Sequence, residues 1–234
     1  MKVLGIIPAR YHSSRFQGKP LADILGMSMI QRVYEQCLKS TTLTTVIVAT
    51  DSEQIYNHVK KFNGNVMMSS DSHSSGTERC NEIVEKIKES YDLIINIQGD
   101  QPYINPIQID EIEEIFSNKK IEIATLAKKI TNKEDLKNPN VVKILFNEQY
   151  EAINFCRKTI DERYHFKHIG IYGYTPKALQ KICRLKIIKK EKQEKLEQLR
   201  WLENKCKIHV GITNYESISV DCPEDIMKIK AQMI

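Results

Sequence analysis

Short apolar runs alternate with amphipathic segments through the first half of the chain. The runs have the length and aliphatic content of strands that are buried on both faces, and they cover residues 3–7, 46–49, 66–68 and 93–97. Between them, apolar residues recur every three to four positions, which predicts helices, the first ending near Ser40. This alternation is typical of a parallel sheet with helices on both faces.

From residue 121 onward the pattern changes to strands separated by short connections. The predicted strands cover residues 123–127, 141–145, 152–155, 168–174, 208–212 and 217–220. Helices are predicted at 194–204 and after Asp221, and a capping box of Thr131 and Glu134 predicts a shorter one. No linker interrupts the chain, so we expect one α/β domain with a small mixed β excursion in its second half.

The loop after the first predicted strand carries most of the candidate chemistry. Pro8 cannot donate to a sheet ladder, so the strand is expected to stop there. Arg10, Arg15 and Lys19 follow among few apolar side chains, at the strand end where open α/β sheets bind ligands. The glycine spacings of a P-loop and of a dinucleotide site are absent. The cations are therefore either phosphate contacts or ordinary solvated surface.

A second polar stretch precedes a predicted helix. Ser75 and Glu78 have the spacing of a capping box, which explains both of them structurally. His73, Gly76 and Arg79, beside them, have no such explanation.

Asp100 follows the most hydrophobic predicted strand, next to Gly99. A carboxylate at a strand tip suits a hard divalent cation, although a turn-forming aspartate explains it equally well. Later in the chain, Arg157 and His168 are candidate polar contacts, and a lone histidine is more often structural.

Composition excludes several classes of protein. The chain has 234 residues, 41% hydrophobic and 28% charged, as in ordinary globular proteins. Its net charge of +5 is not concentrated in a basic stripe, so nucleic-acid binding is not expected. No apolar segment is long enough to span a bilayer, and no signal peptide is evident. Six scattered cysteines without metal or redox spacing favour a reducing compartment, the cytoplasm.

Several motifs, in their order along the chain, resemble those of the 3-deoxy-D-manno-octulosonate (Kdo) cytidylyltransferases, also called CMP-Kdo synthetases. They lie at residues 8–21, 48–51, 75–79, 96–100, 138–143, 168–174, 196–200 and 220–225. The sialic-acid cytidylyltransferases are similar, but Tyr11, Arg15 and the segment 98–100 favour the Kdo branch.

This resemblance implies a Rossmann-like nucleotidyltransferase fold and a homodimer. It also implies Mg²⁺-dependent transfer of CMP from CTP to Kdo, with release of pyrophosphate, for lipopolysaccharide or capsule biosynthesis. Residues 1–120, approximately, would bind the nucleotide, and residues 121–234 would bind the sugar and form the dimer.

The resemblance also implies roles for individual residues. Those expected to contact CTP are Pro8, Ala9, Arg10, Ser13, Arg15, Lys19, Ser75 and Gly76. Asp100 and Asp221 are the implied Mg²⁺ ligands, and with Arg10 and Lys19 they form the implied catalytic set. The implied sugar-acid contacts are Gln98, Arg157, His168, Tyr172, Glu197 and Gln198.

Three features depart from the family pattern. Gln101 replaces the usual Glu, Cys222 replaces Thr or Ser after Asp221, and the connection 158–167 is shorter than expected. The short connection leaves 8-amino-Kdo or a nonulosonic acid open as the substrate. The lost charge at Gln101 leaves a non-catalytic sugar-nucleotide binding protein open.

Overall fold

The computed structural model describes residues 1–13, 15–158 and 163–232. Its strands are β1 (Val3–Ala9), β2 (Asp23–Ile24), β3 (Met27–Ser28), β4 (Thr45–Thr50), β5 (Val66–Met68), β6 (Leu93–Asn96), β7 (Ile123–Lys129), β8 (Lys143–Phe146), β9 (Ala152–Cys156), β10 (Phe166–Tyr174) and β11 (His209–Ile212). Its helices are α1 (Met29–Cys37), α2 (Glu53–Lys61), α3 (Gly76–Lys86), α4 (Pro106–Ile115), α5 (Lys133–Lys137), α6 (Pro176–Cys183), α7 (Lys189–Glu194), α8 (Gln198–Glu203) and α9 (Pro223–Gln232). A 3₁₀ turn covers Lys19–Leu21.

The chain forms two compact units. One comprises residues 1–110 together with the stretch from Glu216 onward, and the other comprises residues 111–215. Asp221 and α9 therefore belong to the first unit, although the sequence division at about residue 120 grouped them with the second half.

The first unit contains a parallel sheet with the strand order β6-β1-β4-β5. Val3, Leu4, Ile6 and Ile7 of β1 are wholly buried, as expected for a strand covered on both faces. The predicted strand–helix alternation is confirmed. Because the strands are parallel, their carboxyl ends and the loops that follow them lie at one edge of the sheet.

β1 continues through Pro8 to Ala9, so the expectation that Pro8 ends the strand is wrong. The N–H of Ile97 donates to the carbonyl of Ile6 at 2.9 Å, which shows that Ile6 faces β6. Pro8, two residues further, has its nitrogen on the same side and cannot donate there, and the pairing with β6 ends at Asn96. The pairing with β4, on the other side, continues to Ala9.

The second unit contains the mixed β excursion that the sequence predicted. β7 pairs in parallel with β11 and antiparallel with β10, β10 pairs antiparallel with β8, and β8 pairs antiparallel with β9. The predicted helix at 194–204 is wrong in one respect, because α7 ends at Glu194 and is followed by Lys195. That residue has a φ of 54°, a left-handed conformation that interrupts a helix, and α8 begins only at Gln198.

Local corrections concern other predicted elements. Residues 217–220 form no strand in the described structure, and α5 is capped by Asn132 rather than Thr131. α6 was not predicted, although Thr175 caps it and Pro176 occupies its first turn, a recognisable helix start.

No helix in the described ranges combines the length and apolar character needed to cross a membrane. None of the six cysteines, all of which lie in the described ranges, forms a disulfide, and Cys37, Cys80 and Cys206 are buried.

Candidate active site

A cavity of about 250 Å³ lies at the carboxyl edge of the parallel sheet in the first unit. Its walls come from the end of β1 and the loop after it, the loop before α3, the loop after β6, and Asp221. The lining residues include Pro8, Ala9, Arg10, Ser13, Arg15, Lys19, Ser75, Gly76, Gln98, Asp100 and Asp221. The structure thus brings together every residue that was expected to contact CTP or Mg²⁺.

Lys19 joins two of the segments that line this cavity. Its Nζ donates to Asp100 Oδ2 and to the carbonyl of Val220, both at 2.8 Å. The N–H of Val220 donates to the carbonyl of Asp100 at 2.9 Å. Because Val220 precedes Asp221, these bonds hold the loop containing Asp100 against the segment containing Asp221.

A second ion pair lies nearer the solvent. Arg15 Nη2 donates to Asp221 Oδ1 at 2.9 Å, across 206 positions of the sequence. The two side chains are 63% and 41% exposed, whereas those of Lys19 and Asp100 are 16% and 29% exposed. Each expected Mg²⁺ ligand is therefore paired with a cation that was expected to bind the triphosphate.

The backbone wall of the cavity depends on glycine and on a helix cap. A Cβ at Gly99 would lie 2.7 Å from the carbonyl oxygen of Pro8, so only glycine lets this loop approach β1 so closely. Ser75 caps α3 by accepting the N–H of Glu78 at 3.2 Å. The predicted cap is confirmed, and the Glu78 carboxylate in turn accepts the N–H of Ser74 at 2.8 Å.

Arg79, which the sequence singled out without a role, supports the same wall. It is 3% exposed, and its Nη2 donates to Asp51 Oδ2 at 2.7 Å. Its Nη1 donates to the hydroxyl of Ser69 and, at 3.2 Å, to the carbonyl of Ser70. One guanidinium thus holds together the end of β4, the loop after β5 and the first turns of α3.

Replacing Asp51 with Ala is expected to lower the free energy of unfolding by about 3–5 kcal/mol, because it leaves a buried guanidinium without its counter-ion. Urea unfolding of the variant measures this. The control is Glu151→Ala, which breaks an ion pair with Lys207, whose side chain is 78% exposed, and is expected to cost less than about 1 kcal/mol. Equal losses in the two variants would contradict the assignment.

The described residues contain no group of three or more His, Cys, Asp or Glu side chains placed to hold a metal ion. Asp100 and Asp221 provide two carboxylates on segments that are hydrogen-bonded to each other. Mg²⁺ prefers oxygen ligands and retains waters and substrate phosphate oxygens, so two carboxylates in a cavity lined by cations fit this ion.

Gln101, one of the departures from the family pattern, directly follows Asp100 in the chain. It is 4% exposed, and its Nε2 donates to Ser219 Oγ at 3.4 Å. It therefore bridges the same two segments as Lys19 without adding a charge.

The second unit gathers several of the residues that were expected to contact the sugar acid. His168 lies 5.2 Å, between ring centroids, from Tyr172, which lies 5.2 Å from Trp201. His168 Nε2 is 2.9 Å from Thr125 Oγ1. Burial raises the pKa of Tyr172, and the nearby charge of Glu197 raises it further. Neither Thr125 nor Trp201 was predicted as a site residue from the sequence, where the only signal was that this tryptophan is the single one in the chain.

Arg157 follows β9, and main-chain oxygens hold its guanidinium. Its Nε donates to the carbonyl of Glu194 at 2.8 Å and its Nη1 donates to that of Pro139 at 3.2 Å. The short connection after Arg157 falls partly outside the described residues. Gln98 lies in the first unit, where it lines the cavity.

His168 gives the protein a specific pH dependence. Burial lowers its pKa to about 3 from an ordinary value of 6.5, although the residue is only half-buried. The unfolded chain therefore binds a proton below pH 6.5 that the folded chain does not. We expect the free energy of unfolding to fall by up to about 1.4 kcal/mol for each pH unit below 6.5.

Urea unfolding at pH 7.5, 6 and 5 measures this dependence against His168→Gln. The variant should lose this contribution while keeping the pH dependence of the carboxylates. Parallel curves for the two proteins would show that His168 does not contribute.

Comparisons with known proteins cover the full chain. Residues 4–208 match the cytidylyltransferase family. A 3-deoxy-manno-octulosonate cytidylyltransferase of Parabacteroides distasonis is 48% identical, over 99% of this chain and 98% of that protein. An 8-amino-3,8-dideoxy-manno-octulosonate cytidylyltransferase of Shewanella sp. (strain ANA-3) is 43% identical, over 100% and 99%. A solved CMP:2-keto-3-deoxy-manno-octonic acid synthetase, complexed with CTP, aligns with a TM-score of 0.92 and 35% identity, over 100% and 98%.

Proposed function

This chain belongs to the cytidylyltransferase family, and from that premise we propose that it transfers CMP from CTP to Kdo and releases pyrophosphate. The observation that carries the proposal is the cavity of the first unit. It gathers Arg10, Arg15 and Lys19 around the carboxylates of Asp100 and Asp221. A triphosphate needs those cations, and a divalent ion needs those carboxylates.

The reaction joins the anomeric hydroxyl of the sugar acid to the α-phosphorus of CTP. The bond from that phosphorus to the oxygen bridging to the β-phosphate breaks, and pyrophosphate leaves. Such transfers depend on in-line placement and charge neutralisation rather than on a covalent nucleophile. Arg10, Arg15 and Lys19 bind the triphosphate and stabilise the charge on the departing pyrophosphate. The walls at Pro8 and Gly76 hold the nucleoside.

Asp100 and Asp221 would hold Mg²⁺, which would supply charge neutralisation at the α-phosphate and acidify the attacking hydroxyl. In the structure, Lys19 and Arg15 neutralise these two carboxylates. On binding of CTP, Lys19 and Arg15 would turn from these carboxylates to the phosphates, which would leave Asp100 and Asp221 available to hold the metal ion.

The sugar acid would be held by residues of the second unit together with Gln98. Arg157 is suited to its carboxylate, because a guanidinium can donate two parallel hydrogen bonds to a carboxylate. His168 stays neutral, so it can act as one donor and one acceptor towards hydroxyl groups.

A second candidate substrate is 8-amino-Kdo, which is favoured by the 43% identity to a relative named for that sugar. The two sugars differ at C8, far from the anomeric centre, so the same transfer chemistry serves both. A non-catalytic binding protein is a weaker alternative, since Lys19, Asp100 and Asp221 are all present in the cavity.

The test is incubation with CTP, Mg²⁺ and each of Kdo, 8-amino-Kdo and a nonulosonic acid, with detection of pyrophosphate. We expect release with Kdo, and the ratio of kcat/KM values ranks the sugars. Calorimetry that shows CTP binding without turnover of any of these acids would overturn the proposal in favour of a binding protein.

The assembly and location of the enzyme also belong to the proposal. The expected homodimer rests on the resemblance to the Kdo cytidylyltransferases. Cysteines that form no disulfide support the cytoplasm, and the product would serve lipopolysaccharide or capsule biosynthesis. Light scattering of the purified protein tests the dimer.

A further inference from the structure

Lys143 is a buried cation to which neither the sequence motifs nor the proposed reaction assigns a task. It is the first residue of β8 and has no exposed surface. Its Nζ donates to the carbonyl of Asn138 at 2.6 Å and to the carbonyl of Arg157 at 2.8 Å. Both acceptors are neutral main-chain oxygens.

A simple core role does not explain this lysine. Burying an ammonium without a carboxylate in hydrogen-bonding contact costs free energy that a methionine of similar length would avoid. Burial accordingly lowers the pKa of Lys143. The two hydrogen bonds to main-chain carbonyls are the interactions that hold the ammonium at this position.

The two carbonyls belong to segments that also hold the side chain of Arg157. Asn138 immediately precedes Pro139, whose carbonyl accepts from Arg157 Nη1 at 3.2 Å. Lys143 therefore fixes the main chain at Arg157 and, at the same time, the main chain that receives its guanidinium. Glu194 completes the arrangement by accepting from Nε at 2.8 Å.

The strand register places this arrangement beside another candidate sugar contact. Lys143 lies opposite Cys156 of β9, the residue before Arg157. It also lies opposite Lys167 of β10, the residue before His168. The N–H of His168 donates to the carbonyl of Val142 at 2.8 Å. The start of β8 thus sets the main-chain position of both Arg157 and His168.

We propose that Lys143 is a positioning residue for recognition of the sugar acid, and that it acts by holding Arg157 in the orientation that binds the substrate carboxylate. This inference rests on the proposed function. Lys143 itself does not touch the substrate, so its removal affects the sugar and not the nucleotide.

Lys143→Met keeps the length of the side chain and removes its donors. We expect the KM for Kdo to rise at least about tenfold, because Arg157 loses the orientation in which its guanidinium donates charge-assisted hydrogen bonds to the substrate carboxylate. The KM for CTP should stay within about twofold of wild type, which a general loss of structure would not allow. Lys143→Gln, which retains N–H donors without the charge, should recover part of the affinity for Kdo.

The matched control is Lys167→Met, on the residue opposite Lys143 in the sheet. Lys167 pairs with Asp135 at 3.3 Å and makes none of the hydrogen bonds that fix Arg157. Its KM for Kdo should remain at the wild-type value.

A double-mutant cycle with Arg157→Ala identifies the route of the effect. If Lys143 acts through Arg157, Lys143→Met should add less than about twofold to the KM for Kdo in the Arg157→Ala background, because coupled residues are not additive. A full further loss there would overturn the proposal, and so would an unchanged KM in the single variant. If the Met variant does not fold, a wild-type KM in Lys143→Gln overturns it.

Failure of this inference is separable from failure of the proposed function. A wild-type enzyme that releases no pyrophosphate with Kdo or 8-amino-Kdo removes both. If the wild-type enzyme is active and the Lys143→Met variant has the wild-type KM for Kdo, only the proposed role of Lys143 is rejected.

Discussion

Replacing Asp100 with Asn is expected to lower kcat by at least about 100-fold. Charge neutralisation by a metal ion stabilises the transition state by several kcal/mol, and each loss of about 1.4 kcal/mol lowers the rate tenfold. The amide keeps the shape of the side chain but loses the charge that a divalent cation requires. CTP binding should not weaken in parallel. Lys19, which pairs with Asp100 at 2.8 Å, loses its anionic partner and becomes freer to bind phosphate.

The measurement combines turnover over a range of Mg²⁺ concentrations with calorimetry of CTP binding. Asp92→Asn serves as the control, because Asp92 is an exposed aspartate of the same unit that accepts the N–H of Lys2 and lies outside the cavity. Its turnover should equal that of wild type. Near-normal turnover of Asp100→Asn at saturating Mg²⁺ would remove Asp100 from the mechanism.

Replacing Arg157 with Lys should raise the KM for the sugar acid by about 10–100-fold. An ammonium keeps the charge but loses the planar pair of hydrogen-bond donors. The loss of one charge-assisted hydrogen bond costs about 1.5–3 kcal/mol, which accounts for a change of this size. The contacts of Arg157 with the carbonyls of Glu194 and Pro139 also depend on that plane. The KM for CTP should change little.

Lys19→Ala is the reciprocal variant. It removes a cation of the nucleotide cavity, so the KM for CTP should rise while the preference among sugar acids stays the same. The apparent KM values for CTP and for the sugar acid, measured in both variants, test this division of roles. If each variant impairs CTP and sugar equally, nucleotide and sugar recognition are not divided between these residues.

The fold class could be predicted from the sequence because its determinants are local. Runs such as 46–49 and 93–97 consist mainly of aliphatic residues, which is typical of parallel strands that are buried on both faces. Helix caps are equally local, and Ser75 was predicted correctly from the residue three positions later. Lys195 is a case where such prediction fails, because no residue pattern near it indicates the left-handed conformation that separates α7 from α8.

The sequence predicted which residues line the cavity but not which of them contact each other. The resemblance to the Kdo cytidylyltransferases grouped Arg10, Lys19, Gly76 and Asp100 as one set of residues. That grouping agrees with the general position of ligands at the carboxyl ends of parallel strands.

The sequence by itself therefore determined the parallel sheet, the loops that carry its chemistry, and the types of side chain available there. Only the tertiary structure decided which of these side chains face each other. Lys19 meets Asp100 and Val220, and Lys143 meets Arg157. The physical reason is that such pairs depend on strand register and loop closure. Both are set by the packing of the whole core rather than by any local pattern.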